Sequence, residues 1–114
     1  MKPTTVLLPD RPEYRDPSAW ALEEARRLVR RLLAGTGVTA LLFGSRARGV
    51  VEGFSDIDIA LSSGPHPVPG NLLALLSGAF EASRIPFTVD LVDLHAAGPE
   101  LRRVVEQEGI AWTE

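Results

Sequence analysis

Three segments of the chain bring together residue types that handle phosphate and divalent cations. Gly44-Ser45-Arg46-Ala47-Arg48-Gly49 sets a glycine and a hydroxyl beside two guanidinium groups. Ser55-Asp56-Ile57-Asp58 sets two carboxylates one residue apart, and a third, Asp90, interrupts the apolar run Phe87-Thr88-Val89-Asp90-Leu91-Val92-Asp93. A glycine lets a phosphate approach the backbone closely. The amides of the following turn, with the Ser45 hydroxyl, can donate to phosphate oxygens. Arg46 and Arg48 are candidates for holding triphosphate oxygens or the nucleotide base; the alternative is an ion pair with Glu52 or with an acid of the site. Asp56 and Asp58 project from one strand face, where they repel unless cations neutralise them. Oxygen ligands of this kind suit Mg²⁺, which keeps water and substrate phosphate in its shell. Taken singly, a Gly-Ser pair is an ordinary turn and an Asp-x-Asp a solvated strand edge. Together they point to metal-assisted chemistry on a nucleoside triphosphate.

The elements that must position these groups follow from periodicity and turn residues. Residues 1–15 carry Pro3, Pro9 and Pro12 and read as an extended arm ahead of a single domain over 16–114. Asp16 is an N-cap with Pro17 at the first helical position. Ala21, Ala25, Leu28 and Leu32 then recur at helical spacing, widened by Leu22, Val29 and Leu33, with Glu23–Arg27 as an i,i+4 pair and Gly35 as the stop. Val38–Phe43 is a buried strand running into Gly44, residues 45–49 a helical turn, and 56–61 a second strand. The proline- and glycine-rich stretch 62–70 is a loop, Asn71 caps a helix over 72–83, 87–94 is a third strand, and Pro99 opens a last helix with Leu101, Val104 and Val105. Strands interleaved with helices, with a hairpin-sized gap only between the first two strands, give an α+β fold: a small mixed sheet with helices packed on one face.

Strand parity makes the acids converge. Ile57, Ile59 and Leu61 share a face with Phe87, Val89 and Leu91, directed at the helices. Asp56, Asp58 and Asp90 then share the opposite face, while Asp93 falls on the wrong parity and reads as a strand-end or cap residue. Three convergent carboxylates suffice for two divalent ions, which can activate a hydroxyl and stabilise an in-line phosphoryl displacement. Ser55 either supports the acids or opens the strand. Gly49 and Gly53 serve backbone geometry, His66 and His95 are surface residues, and Trp20 and Trp112 are packing residues. The helix with Leu72, Leu73, Leu75, Leu76 and Phe80 is apolar around much of its circumference, so one side of it is also a candidate partner surface.

Composition bounds the rest. One hundred and fourteen residues make one domain. The net charge of −3 argues against direct nucleic-acid binding, and zero cysteines exclude disulfides and thiolate metal sites. No apolar run approaches the ~20 residues that span a bilayer, and no signal-peptide core is evident, so the expected location is the cytoplasm.

Gly44-Ser45-Arg46-Ala47-Arg48-Gly49, then Ser55-Asp56-Ile57-Asp58, then Asp90 in Val89-Asp90-Leu91-Val92 resemble the minimal nucleotidyltransferases (MNT) of the DNA polymerase β superfamily. The resemblance covers the chain from about residue 17. It implies the nucleotidyltransferase fold, with the active site on the sheet face opposite the helices. Gly44 and Ser45 would bind the triphosphate of ATP, Asp56 and Asp58 would hold two Mg²⁺, and Asp90 would be the third catalytic acid and metal ligand. It also implies an antitoxin paired, as a hetero-oligomer, with an all-helical HEPN toxin whose tyrosine receives AMP. Two further functions fit the sequence: a non-catalytic module that masks a toxin, and nucleotidyl transfer to a small molecule.

Overall fold

The computed structural model describes residues 17–49 and 55–113. The expected arm, the Asp16 cap, Glu52 and Gly53 lie outside them. Helix α1 (Pro17–Leu33) opens on a proline, whose missing N–H falls where no helical bond is needed. Its buried stripe is Ala21, Ala25, Leu28, Val29 and Leu33. The polar side pairs charges at i,i+3 instead of the expected Glu23–Arg27: Arg27 donates to Glu24 at 2.6 Å, and Arg26 lies 3.9 Å from Glu23. Two successive acids give each arginine a partner one turn back, and residues three apart are as close as residues four apart. Thr36 ends the helix on the Leu33 carbonyl, and Gly35, at φ +76°, turns the chain away.

Strand β1 (Thr39–Phe43) pairs antiparallel with β2 (Ile57–Ser62), placing Phe43 opposite Asp58. Helix α2 (Gly70–Ala82) then leads to β3 (Val89–Asp93), which runs parallel to β2 with Asp58 opposite Asp90. Helix α3 (Pro99–Glu108) is followed by β4 (Ile110–Ala111), which pairs with the far edge of β1. The sheet order is β3-β2-β1-β4. Two-residue β4 is too short to leave a sequence pattern. It is held by Trp112 donating to the Ala40 carbonyl at 2.9 Å and by Ala40 donating to the Thr113 hydroxyl at 2.7 Å.

Ile57, Ile59 and Leu61 are fully buried with Ala40, Leu42 and Trp112 against α1 and α2. Those two helices cover one sheet face and the acids occupy the other, as parity requires. The acid face is not bare, however. Further along it, Phe43, Ala60 and Val105 are buried together, with Leu41, Val92, Leu94 and Leu101 against them. Helix α3 therefore packs on the same side as the acids. Helix α2 starts earlier than expected: Pro69, not Asn71, is its cap, and the Pro69 carbonyl accepts from Leu72 and Leu73 at 3.0 and 3.1 Å. Asp93 is a strand-end residue, accepting from Val68 and His95 amides at 3.1 and 3.0 Å.

Leu72, Leu76 and Phe80 form the buried face of α2, whereas Leu75 is 53% exposed. Leu76→Ala should lower unfolding free energy by about 2–5 kcal/mol. Leu75→Ala should change it by no more than about 0.5 kcal/mol. Urea denaturation of the two variants checks the pair.

Candidate active site

The site begins where β1 ends. Gly44 has φ +76°, and its carbonyl accepts from Ala47 at 3.1 Å and Arg48 at 3.2 Å, closing one helical turn. The first amides of such a turn, those of Ser45 and Arg46, have no acceptor inside it. Amides left free in this way at the start of a helical turn can donate to an anion. A second feature adds to this: a Cβ at Gly44 would run into Asp58 Oδ2, and the carboxylate would have to move. Because that Cβ is missing, the turn lies directly against the acid.

The structure brings Asp56, Asp58 and Asp90 to one side of the sheet. Asp58 is half-buried between Phe43 and Asp90, its two register neighbours, while Asp90 and Asp56 are exposed. Burial first, then the Asp90 and Asp56 charges and a hydrogen bond with Asp90, raise the Asp58 pKa from its ordinary value; Arg48 opposes them. A half-buried carboxylate crowded by two others is a site that a cation relieves. Among the described residues, no three His, Asp or Glu side chains lie close enough together to hold a metal ion by themselves. An open, all-oxygen set of this kind fits Mg²⁺, which completes its shell with phosphate oxygens and water, better than an ion that needs a closed protein cage.

The two arginines diverge. Arg46 turns inward and is only 4% exposed. Its Nε and one terminal nitrogen donate to the Ser55 carbonyl at 3.1 and 2.8 Å, and the guanidinium lies 4.3 Å from the Phe87 ring centroid. Burial lowers its pKa and Asp56 acts to raise it. Arg48 is exposed and pairs with Glu108 at 2.9 Å; the Glu52 alternative lies outside the described residues. His66 and His95 are exposed. Phe87, the Ser55 carbonyl and Glu108 are site neighbours without a sequence signal: Phe87 reads as core, a carbonyl is invisible in a sequence, and Glu108 is sixty residues from its partner.

The chain matches the family described as Polymerase beta, Nucleotidyltransferase over residues 37–112. It is 32% identical over 69 residues to the probable protein adenylyltransferase MntA of Haemophilus influenzae, covering 60% of each protein; the chain thus spans less than two thirds of that relative's length. A chain from a crystal structure of a toxin-antitoxin with AMP-PNP superposes with TM-score 0.61 at 29% identity, covering 76% of this chain and 71% of that one. A chain from the complex of tri-AMPylated Shewanella oneidensis HEPN toxin with MNT antitoxin shares the fold, with TM-score 0.51 at 24% identity over 82% and 70%.

Two stability measurements test this geometry. Gly44→Ala should destabilise by at least about 1–2 kcal/mol, the left-handed backbone alone accounting for that much. Asp58 carries a raised pKa when folded, so its contribution to stability is present at low pH and lost as pH rises through the folded pKa. Asp58→Asn should therefore raise the melting temperature of the metal-free protein at pH 7 by a few degrees, on the order of 2–5 °C. The difference from wild type should shrink in scans below the ordinary carboxylate pKa.

Proposed function

We propose a reaction for this chain, which belongs to the Polymerase beta nucleotidyltransferase family: Mg²⁺-dependent transfer of AMP from ATP to a hydroxyl of a partner protein. The observation that carries the proposal is the Gly44 turn closed onto Asp58, itself in register with Asp90. Phosphate-binding amides and metal-binding carboxylates meet there without an intervening side chain. The similarity to a probable protein adenylyltransferase and to a toxin-antitoxin chain seen with AMP-PNP supports the choice of nucleotide and acceptor.

Ser45 and the turn amides would hold the β and γ phosphates, and Arg48 would reach them by leaving Glu108. Asp56 and Asp58 would hold two Mg²⁺ together with Asp90. When bound, the ions supply charge neutralisation at the phosphates and lower the pKa of the attacking hydroxyl. Asp90, exposed on the sheet's outer strand, would orient that hydroxyl and take its proton. The acceptor oxygen bonds to the α-phosphorus, the α–β bridging bond breaks, and pyrophosphate departs.

The partner is a helical HEPN-type toxin forming a hetero-oligomer with this chain, and the setting is the cytoplasm. No helix among the described residues is long and apolar enough to cross a membrane.

Incubation with α-labelled ATP, Mg²⁺ and the protein encoded by the neighbouring gene should label that protein, and excess EDTA should abolish labelling. Asp56→Asn, Asp58→Asn or Asp90→Asn should each reduce the rate by about 10²–10³-fold, the scale seen when one preorganised electrostatic contact is lost. Undiminished labelling by Asp58→Asn would rule out the mechanism.

A further inference from the structure

Asp56 lies just outside strand β2, so no ladder bond of the strand itself fixes it. Its backbone is held from both flanks instead. Ahead of it, the Ser55 carbonyl accepts two hydrogen bonds from Arg46. Behind it, the Ile57 amide donates to the Thr88 carbonyl at 2.9 Å. Phe87, the residue before Thr88, is the ring on which the Arg46 guanidinium rests. One side chain thus reaches from the phosphate turn to the start of the acid strand and to the segment that leads to Asp90.

We infer that Arg46 is a positioning residue: it sets the distance between the triphosphate turn and the metal-binding acids, and does not itself hold phosphate. This rests on the metal-and-triphosphate site proposed above. Its geometry is that of a buried clamp. Two of its three nitrogens converge on one carbonyl, its flat face is covered by an aromatic ring, and the remaining terminal nitrogen is buried without a hydrogen-bond partner among the described residues. A residue serving the triphosphate would keep its guanidinium exposed, as the neighbouring Arg48 does. The demand is for arginine in particular. An ammonium group cannot grip one oxygen through two coplanar donors while stacking flat on a ring.

The test compares binding of AMP-PNP by calorimetry with Mg²⁺ and in EDTA, for wild type, Arg46→Met, Arg46→Lys and the exposed control Arg31→Met. Residues that orient metal ligands change metal affinity by about 10- to 100-fold when lost. Both Arg46 variants should therefore lose about that factor with Mg²⁺ and stay within about 2-fold of wild type in EDTA. Arg31→Met should match wild type in both. Arg46→Lys keeps the charge and the aliphatic stem, so it provides a folded protein even if Arg46→Met does not. Equal losses with and without Mg²⁺ would make Arg46 a direct phosphate ligand and overturn the inference. Unchanged binding in a variant with lowered melting temperature would reduce Arg46 to packing, and overturns it as well. Wild type that gains nothing from Mg²⁺ would overturn the metal site itself, an outcome visible before any variant is examined.

Discussion

The in-register parallel pairing of β2 with β3 sets Asp58 beside Asp90, and the protein holds that pair together against its own repulsion. Two charges about 4 Å apart repel by about 1 kcal/mol in water and about 4 kcal/mol near a protein surface. Behind them, Ile57, Ile59 and Leu61 are fully buried. Each such side chain contributes about 1.5–3 kcal/mol. Burial of the three therefore outweighs the repulsion. Nor can the strand slip by one residue to separate the acids, because that would turn all three aliphatic side chains to solvent. The chemistry on one face is held in place by the packing on the other, and the crowding adds to burial, the larger cause, in raising the pKa of Asp58.

The parity of β2 and β3 was fully legible in the sequence, since Ile57, Ile59 and Leu61 alternate with the acids and leave one way to pack. The α1 stripe and the Gly44 turn were legible for similar reasons: spacing, and a residue type that few other backbones require. What the sequence hid depends on contacts made across long separations. β4 is two residues long and exists because Ala40 offers it a partner. Helix α3 is amphipathic, but nothing in its own residues says which sheet face it meets; Ala60, small and buried beside Val105, decides that. Pro69 capped α2 through its carbonyl, which no side-chain pattern reports.

The divergence of Arg46 and Arg48 follows from local geometry. Residues two apart on a helical turn point to nearly opposite sides. In a turn pressed against the sheet, one of them must enter the protein and the other must leave it. The motif contains both arginines in equivalent-looking positions. Only the fold separates a buried clamp on Ser55 from an exposed ion pair with Glu108.

The end of the chain visits every layer in a few residues. Val105 sits on the acid face, Glu108 pairs with Arg48 of the Gly44 turn, Ile110 and Ala111 lie in the plane of the sheet, and Trp112 is buried among the residues of the helix face. Gly109 makes the change of direction possible, because a Cβ there would meet the Val105 carbonyl oxygen and the Leu41 side chain. Such a segment tolerates exchange of side chains where it is exposed, at Ile110 and Ala111, but has no tolerance for a change in length. One residue inserted after Val105 would throw Glu108, Gly109 and Trp112 out of register at once, and the defect would be felt on both sides of the sheet and at the Gly44 turn.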